Sequence, residues 1–281
     1  MTKVAIITRT KDRPVFLRRA IESVSAQTAG DYVHVIVNDG GKKDEVQSVI
    51  ELFSDDIQQK IKLFHRKTPS GAPDTIFNES IDRADSTYVA IHDDDDTWHP
   101  EFLERTLHVL DSGKKAVVVR TNRIYETFKD SKIKRIKSEP YMPEMVAVSL
   151  YRQCIENQLT PIALIFSRDA YKAIGKFDSS LPVAGDWEFG IRFLKAYDVE
   201  FLDPGFALAY YHHRKNISDN SYASHNHRKV FTSVSNKYLR EDLKNGSLGL
   251  GYIMSKLKYD MDVRHKIIKK IIPKTIIKKL R

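Results

Sequence analysis

The four consecutive carboxylates Asp93 to Asp96 have the residue types and spacing to bind a metal ion. They follow the apolar segment 88–91, which predicts a buried strand, so they lie at the carboxyl end of that strand. Carboxylates this close raise one another's pKa unless a cation neutralises them, and Mg²⁺ and Mn²⁺ prefer oxygen ligands of this kind. The run therefore indicates a divalent-cation site. The alternative is an acidic turn before a helix that starts near Pro100.

Alternating strands and helices must position this acidic run. Short apolar segments predict strands, and segments with helical periodicity predict the helices between them. The predicted strands are 3–8, 33–37, 61–65 and 88–91, and the predicted helices are 15–26, 44–53 and 74–84. This order predicts an α/β fold with a mostly parallel sheet and flanking helices, in which ligands bind outside the carboxyl ends of the strands. Polar clusters at 8–13, 38–41 and 93–96 should therefore converge on one cleft.

Composition places the chain among globular proteins. Its 281 residues, 41% hydrophobic and 30% charged, are compatible with one large domain or one domain plus an appendage. No apolar segment approaches the roughly 18 residues that span a bilayer, and the chain opens into a strand-like segment, so we expect neither a membrane span nor a signal peptide. The single cysteine, Cys154, excludes an internal disulfide and is typical of a cytoplasmic protein.

The net charge of +9 is concentrated at one end of the chain. Residues 252–281 contain ten Lys or Arg and two Asp, a local excess of eight, so the rest of the chain carries an excess of only one. Basic charge confined to a tail, without interleaved aromatic residues, argues against nucleic-acid binding.

The C-terminal extension, 216–281, is predicted to be helical and basic. Helical periodicity appears over 229–243 and 255–272. In the second segment, apolar residues would form one face of the helix, and lysines and arginines the opposite face. A basic amphipathic helix of this kind suits an anionic membrane surface, which residues 255–281 would contact. The same helix could equally pack on the body of the protein or on a second subunit in a homodimer.

Five motifs in order carry a resemblance to a known family. They are Val-Ala-Ile-Ile-Thr-Arg-Thr-Lys-Asp-Arg-Pro at 4–14, Ala-Ile-Glu-Ser-Val-Ser-Ala-Gln-Thr at 20–28, Val-Ile-Val-Asn-Asp-Gly-Gly at 35–41, Tyr-Val-Ala-Ile-His-Asp-Asp-Asp-Asp-Thr-Trp-His-Pro at 88–100, and Gly-Asp-Trp-Glu-Phe-Gly-Ile-Arg-Phe-Leu at 185–194. The chain resembles the family 2 inverting glycosyltransferases of the Rossmann-like GT-A fold over about residues 1–215. The resemblance implies a nucleotide-sugar-binding half at 1–100 and an acceptor-binding half at 101–215, in an enzyme of bacterial surface-polysaccharide assembly.

The resemblance also implies which residues bind the donor. Thr8 and Arg13 would line the nucleotide pocket, and Asp39 would contact the base or the ribose, where a carboxylate can accept hydrogen bonds from an imide N–H or from hydroxyl groups. Arg66 and Asp74 would reach the same pocket, although the segment 68–74 matches the family pattern only weakly. The favoured donor is a UDP-sugar, and neither the base nor the sugar follows from these residues.

Two of the four acidic residues align with the metal motif of the family. Asp93 would contact the ribose or the metal, and Asp95 would hold the metal, Mn²⁺ or Mg²⁺. The additional carboxylates Asp94 and Asp96 blur this assignment by one position, so Asp94 is also a candidate donor contact.

Paired histidines after an apparent strand at 206–209 provide a second set of candidates. Family members often place a histidine and a basic residue near the diphosphate at this point. His213 could ligate the metal, and Arg214 could pair with phosphate oxygens. The alternative is that both histidines are surface residues.

Asp186 is the candidate catalytic residue, because the family usually has Glu-Asp here with the Asp as general base. Gly185 replaces the usual Glu, which leaves Glu188 as a weaker alternative base. The alternative role for Asp186 is that of an N-cap, and Trp187 could be either a sugar-stacking platform or a core residue.

These observations predict a cytoplasmic, peripheral-membrane, metal-dependent glycosyltransferase that acts on a glycan or lipid-linked glycan. The Lys-rich segment 123–141 is expected to form a mobile loop over the donor. Two other hypotheses stay open: a metal-dependent phosphohydrolase or nucleotidyltransferase, and a non-catalytic module that binds sugar nucleotides or membranes.

Overall fold

A computed structural model describes residues 2–214 and 227–256 of the chain. Its strands are β1 (Thr2–Thr10), β2 (Tyr32–Asp39), β3 (Ile61–Arg66), β4 (Ser86–Ile91), β5 (Thr97–Trp98), β6 (Ala116–Val119), β7 (Thr121–Lys129), β8 (Lys132–Pro140), β9 (Leu164–Ser167), β10 (Glu200–Leu202) and β11 (Ala209–Arg214). Its α-helices are α1 (Pro14–Ser25), α2 (Lys43–Ile50), α3 (Asp55–Gln58), α4 (Pro73–Arg83), α5 (Phe102–Asp111), α6 (Leu150–Gln153), α7 (Arg168–Ile174), α8 (Gly185–Ala196) and α9 (His227–Asn245), and a 3₁₀ turn covers Pro161–Ala163.

The main sheet has seven strands in the order β10-β6-β9-β4-β1-β2-β3. Its pairs are parallel except where β9 runs antiparallel to β4 and β6. The predicted β-α alternation from β1 to β4 is confirmed. The mostly parallel sheet is confirmed with it, and β1, β2 and β4 end at the same edge.

A second sheet has four strands in the order β5-β11-β7-β8. The predicted mobile loop at 123–141 was wrong, since these residues form most of the antiparallel pair β7–β8. The predicted strand at 206–209 was also misplaced, because β11 begins at Ala209 and contains both histidines rather than preceding them.

Helices cover both faces of the main sheet because each has one apolar stripe. In α1, the buried positions Phe16, Leu17, Ala20, Ile21 and Val24 recur at three- and four-residue spacing, and Pro14 starts the helix where its missing N–H is not needed. The central strand β1 is buried along almost its whole length. A sheet packed on both sides leaves its carboxyl-end loops as the place where polar groups can gather.

The predicted helix at 229–243 is confirmed by α9, and residues 250–256 are also helical. Val230, Val234 and Tyr238 of α9 are buried against Trp187 and Ile191 of α8. The predicted amphipathic segment lies mostly outside the described residues, which end at 256, and the whole segment 216–226 also lies outside them. In the part of the chain that the structure describes, no helix is both long and apolar enough to cross a bilayer.

Candidate active site at the carboxyl ends of the strands

The acidic run continues directly from β4 and turns back over the edge of the sheet. The backbone N–H of His92 still donates to the carbonyl of Ile7 in β1, at 2.9 Å, so the chain leaves the sheet only after this residue. Asp96 closes the turn, because its backbone N–H donates to the carbonyl of Asp93 and its carboxylate accepts from the backbone N–H of His212, at 2.7 Å. The run is thereby fixed to both sheets.

Arginines from both sides neutralise the middle of the run. Arg13 pairs with Asp94 at 3.0 Å and with Asp95 at 2.7 Å, and Arg214 also contacts the Asp95 carboxylate. The loop after β1 is linked in turn to the loop after β2, where the Asp12 carboxylate accepts from the backbone N–H of Lys42 at 2.9 Å. The three polar clusters predicted to converge therefore lie together.

Glu126 of β7 ties these arginines to the second sheet. Its carboxylate pairs with Arg19 at 2.9 Å, with Arg214 at 2.6 Å and with the His212 ring at 2.8 Å. Burial alone would raise the pKa of Glu126, but hydrogen bonds from His212 and Arg19 lower it to about 2. This charged cluster therefore joins α1, β7, β11 and the acidic run.

The four aspartates of the run have different proton affinities. Burial and then the neighbouring Asp95 charge raise the pKa of Asp93 to about 7. Burial raises the pKa of Asp94 to about 6, although Arg13 opposes it. Burial would also raise the pKa of Asp95, but Arg13 and Arg214 outweigh it, so that pKa is lowered. Burial and the charges of Asp95 and Asp93 hold the pKa of Asp96 well above its usual range.

Asp39 and Arg66, both predicted to bind the donor, lie side by side at the ends of β2 and β3. One oxygen of the Asp39 carboxylate accepts from the Ser70 backbone N–H and the other from its hydroxyl, both at 2.8 Å, while Arg66 lies 3.4 Å away. The Nη1 group of Arg66 donates to both carboxylate oxygens of Glu79. Gly40 follows with φ 81°, and its Cα packs so tightly against Pro69 that a Cβ would lie 2.7 Å from the Pro69 ring. Their predicted contact with the base or ribose stays a prediction.

Thr8 does not present its side chain to the cleft. It is completely buried, and its hydroxyl donates to the carbonyl of His92 and hydrogen-bonds the ring of His34, both at 2.8 Å. Burial lowers the pKa of His34 to about 3 and of His92 to about 4, so both rings are neutral at pH 7. Through these hydrogen bonds Thr8 holds the end of β4 and the strand β2 in place. Direct contact of its side chain with a nucleotide stays a prediction.

His213 lies on the other face of β11 from the acidic run. Strand side chains alternate between faces, and it is His212 and Arg214 that contact Glu126. The His213 ring instead packs edge-on against Tyr125, with ring centres 5.5 Å apart. The neighbours of His213, His212 and Arg214, therefore lie at the charged cluster, and His213 points to the opposite side of the strand. The prediction placed the strand too early in the sequence and so did not separate the two histidines by face.

Asp186 opens α8 close to the acidic run. Its carboxylate accepts a hydrogen bond from the side-chain amide of Asn157, at 2.7 Å. Burial raises the pKa of Asp186, opposed by backbone and Asn157 hydrogen bonds, and the charge of Asp186 contributes in turn to the raised pKa of Asp93. The structure therefore brings the candidate base and the candidate metal motif into one electrostatic environment.

The two residues that follow Asp186 belong to the protein interior. Trp187 is buried, donates to the carbonyl of Gln153 and packs on Phe231 of α9 with ring centres 4.2 Å apart. Glu188 is completely buried and pairs with Arg192 at 2.9 Å, with the Tyr238 hydroxyl 3.3 Å away. Trp187 is thus a core residue rather than a sugar platform.

The acidic run fits a divalent cation that is shared with a substrate. Within residues 2–214 and 227–256, no three His, Cys, Asp or Glu side chains form a ready-made cage. Mg²⁺, however, is usually held by one or two carboxylates together with substrate phosphates. One buried oxygen of Asp94 has no hydrogen-bond partner, and Asp93 has a raised pKa, so this site has carboxylate capacity that the neighbouring arginines leave unused.

Comparison with known proteins gives the family. The model of the family described as "Glycosyl transferase family 2" matches residues 5–175, which is more than half of the chain and includes the acidic run. The chain belongs to glycosyl transferase family 2.

Curated relatives of this family 2 chain carry glycosyltransferase names. An uncharacterised glycosyltransferase of Rickettsia typhi is 26% identical over 200 residues, which cover 70% of this chain and 60% of that protein. A "PGL/p-HBAD biosynthesis glycosyltransferase" of Mycobacterium tuberculosis is 24% identical over 209 residues, which cover 74% of this chain and 73% of that protein.

Solved structures confirm the GT-A fold of this family 2 chain. S. aureus TarS 1–349 in complex with UDP-GlcNAc matches with a TM-score of 0.68 and 19% identity, covering 89% of this chain and 69% of that one. The mannosyltransferase PcManGT of Pyrobaculum calidifontis, in complex with GDP-Man and Mn²⁺, matches with a TM-score of 0.60 and 14% identity, covering 85% and 64%. The chain spans only 60% of the Rickettsia typhi protein and 41% of a longer TarS structure.

Sequence reasoning did not single out Arg19, Glu126, His212 or Asn157 as site residues. Arg19 lies in an amphipathic helix and Glu126 in a strand rich in charge, where neither stands out by type or spacing. Asn157 lies in an irregular segment far from any motif. Only the paired histidines gave a signal; the structure joins His212 to Glu126, and the metal-ligand role of His213 stays a prediction.

Proposed function

We propose that this chain is a metal-dependent inverting glycosyltransferase. It moves a sugar from a nucleotide-sugar donor to a hydroxyl group of a glycan or lipid-linked glycan in cell-surface polysaccharide or glycolipid synthesis. The observation that carries the proposal is the position of Asp186, whose charge acts on Asp93 in the acidic run. A candidate base and a candidate leaving-group site therefore lie within electrostatic range of each other, and direct displacement at a sugar carbon needs both in one site.

In the proposed reaction Asp186 takes the proton of the acceptor hydroxyl as its oxygen attacks C1 of the donor sugar. The bond between C1 and the diphosphate oxygen breaks, and its electron pair leaves with the nucleoside diphosphate. Attack from the face opposite the leaving group inverts the configuration at C1. Asn157, which donates to the Asp186 carboxylate at 2.7 Å, orients the base.

Glu188 is a poorer candidate for this step than Asp186. The Glu188 carboxylate is completely buried, and Arg192 and Tyr238 occupy its oxygens. A base needs a free oxygen that an acceptor can reach, and Glu188 offers none in this arrangement. Its contacts instead hold α8 against α9.

Asp93 and Asp95 would hold Mn²⁺ or Mg²⁺ together with the donor diphosphate. When bound, the cation would stabilise the negative charge that develops on the leaving diphosphate. Arg13 contacts Asp94 and Asp95, Arg214 contacts Asp95, and guanidinium groups at this place would bind phosphate oxygens when the donor enters. Asp39 and Arg66 would meet the base and ribose, and Asp94 would contribute to the donor site.

The similar proteins suggest the class of donor, and the cellular location is our proposal. TarS and PcManGT were solved with UDP-GlcNAc and GDP-Man, so a UDP-sugar is tested first and a GDP-sugar second. We place the enzyme at the cytoplasmic face of the plasma membrane, with residues 1–100 binding the donor and 101–215 the acceptor. Residues 255–281 would contact anionic lipid or a second subunit.

A paired substitution tests this function. Thermal unfolding with UDP, GDP, CDP and dTDP, each with and without Mn²⁺, first selects the donor class; a ligand at 100 times its Kd stabilises by about 2.7 kcal/mol. Turnover of the matching sugar nucleotides is then compared in wild type, Asp186→Asn and Glu188→Gln. We expect Asp186→Asn to lower kcat by about 10²- to 10⁴-fold with nucleotide binding unchanged, while Glu188→Gln keeps kcat within a few-fold.

Three results would contradict the proposal. Unchanged turnover in Asp186→Asn would remove that residue as the base. Release of sugar phosphate instead of nucleoside diphosphate would indicate chemistry at phosphorus, as in a phosphohydrolase or nucleotidyltransferase. Nucleotide binding without any turnover across the donor series would favour a non-catalytic module.

A further inference from the structure

Gly185, the residue before the candidate base, is in contact with the carboxyl group of Asp74. A Cβ added at Gly185 would lie 1.8 Å from one Asp74 carboxyl oxygen, 2.5 Å from its Cγ and 3.0 Å from the other oxygen. Gly185 starts α8 without a left-handed backbone conformation, so its φ does not require glycine. The space that a side chain at position 185 would need is filled from α4 by Asp74.

Asp74 is an uncommon residue for such a place. It is only 4% exposed, and carboxyl groups are rarely this buried unless they are paired or functional. Asp186 and Glu188 of α8, Asp178 of the preceding loop and Arg9 of β1 act on it. Burial and then the Asp186 charge raise the pKa of Asp74 to about 8, with only Arg9 among these groups acting in the opposite direction.

We propose that Asp74 is the carboxyl partner of Asp186: α4 places the Asp74 carboxyl against Gly185, the residue before the candidate base, and the two carboxyls share one proton. This proposal rests on the proposed role of Asp186 as the base. Asp74 is a positioning residue, since it is buried behind Asp186 and acts on the acceptor only through it.

The sharing of one proton follows from the different surroundings of the two carboxyls. Two buried carboxyl groups whose charges act on each other do not both ionise easily, so the protons leave in two steps that belong to the pair. Burial also raises the pKa of Asp186, but hydrogen bonds from backbone N–H groups and from Asn157, together with His227 of α9, act in the opposite direction and favour its charged form. Asp74 keeps the proton to higher pH, so at pH 7 the pair presents one charged oxygen group, that of the base.

The alternative is that Asp74 only packs α4 against α8. An amide of the same size would then serve as well, and the titration of Asp186 would not depend on it. The two possibilities are separated by a spectroscopic titration that needs neither donor nor acceptor.

The experiment follows the side-chain carboxyl ¹³C signals of aspartate-labelled full-length protein between pH 4 and 10. Wild type is compared with Asp74→Asn, Asp186→Asn and two exchange variants, Asp74→Ser/Gly185→Glu and Asp74→Ser/Gly185→Gln. The single substitutions assign the two signals, and thermal unfolding checks that each variant is folded. The Glu and Gln exchange variants are matched in size, and both place their side chain in the space that Asp74 vacates.

We expect the Asp74 signal in wild type to titrate near pH 8 and the Asp186 signal to show a second inflection at the same pH. Asp74→Asn should abolish this inflection, and Asp186→Asn should lower the Asp74 midpoint by about one pH unit. The inflection should return with Glu at position 185 and stay absent with Gln. An Asp186 titration unchanged by Asp74→Asn, or an Asp74 midpoint below pH 5, would overturn the proposal, as would identical Glu and Gln curves.

Turnover then links the pair to catalysis. With the nucleotide sugar selected by the donor screen, kcat/KM of wild type should fall above about pH 8, because a second charge beside Asp186 repels the attacking oxygen as it becomes negative. Asp74→Asn should remove this alkaline fall in kcat/KM, whatever its effect on the absolute rate. Superimposable profiles together with a collapse in Asp186→Asn would overturn only the role of Asp74, whereas normal turnover in Asp186→Asn would overturn the proposed base itself.

Discussion

The carboxylates of the site fall into two groups. Arginines neutralise the charge of some, and the charge of others is left available to bind a ligand. Asp95 is compensated by Arg13 and Arg214, and Glu126 by Arg19 and Arg214. Asp93, although adjacent, has a raised pKa from burial and from the charge of Asp95. A carboxyl that the fold leaves without full compensation costs stability and is typical of a ligand site.

Asp93→Asn should therefore stabilise the ligand-free protein at high pH. The folded-state pKa of Asp93 is about 7 and its ordinary value 3.8, so ionising it costs folding free energy that grows as pH rises from about 4 to 7 and is absent below 4. We expect Asp93→Asn to raise Tm by several degrees at pH 8 and to leave it unchanged near pH 4, in thermal unfolding without metal. Equal shifts at both pH values would show that the gain has another cause.

Among the elements, α8 and α9 depend on each other. Phe231 of α9 packs on Trp187 of α8, and Tyr238 lies 3.3 Å from the buried carboxylate of Glu188. Because Asp186 is the second residue of α8, the packing of α9 also determines how firmly the candidate base is held. If Asp186 is the base, α9 supports the catalytic site through this packing.

Phe231→Ala should weaken this joint. Removing a partly buried aromatic ring from the contact should lower the free energy of unfolding by about 2 kcal/mol. Leu243→Ala on the same helix is the matched control, because Leu243 is 74% exposed and its loss should change little. Urea unfolding followed by tryptophan fluorescence measures both, and equal effects would mean that α9 is not stabilised through Trp187.

At the scale of the whole molecule, charge is distributed unevenly. The body carries almost no net charge, while ten of the Lys and Arg residues lie within 252–281. Exposed apolar side chains occur just before this tail, at Leu248, and at its start, at Tyr252 and Ile253. Basic charge next to apolar surface is the combination that favours an anionic lipid interface, at about 1 kcal/mol for each Lys or Arg near the surface.

Neutralising part of the tail should release the protein from anionic vesicles. We expect Lys266→Gln/Lys269→Gln/Lys270→Gln to lower binding to phosphatidylglycerol vesicles at least tenfold in co-sedimentation, with weaker binding at high salt. The control, Lys132→Gln/Lys134→Gln/Lys137→Gln, changes three exposed lysines of β8 and the net charge equally. Equal loss in both variants would indicate non-specific attraction, and a change in oligomeric state with no lipid binding in wild type would favour a subunit contact.

The sequence by itself determined the architecture and the chemical class of the site. Short apolar runs and helical periodicity predicted β1 to β4 with the helices between them, because these elements bury apolar residues that are close together in sequence. The acidic run predicted the position of the cleft. The negative charge of four carboxylates at a strand end must be balanced by cations or positive side chains, whatever the rest of the fold is. The family motifs added Asp186.

Only the tertiary structure decided which side chains meet there. His212 rather than His213 joins the cluster, because a shift of one residue in a strand moves a side chain to the opposite face. Glu126 and Asn157 reach the site from segments whose sequence is unremarkable, since contacts between distant elements leave no local pattern. The contact between Asp74 and Gly185 is of the same kind: 111 positions separate them, and the packing of α4 against the start of α8 places an acid where the sequence shows only a glycine.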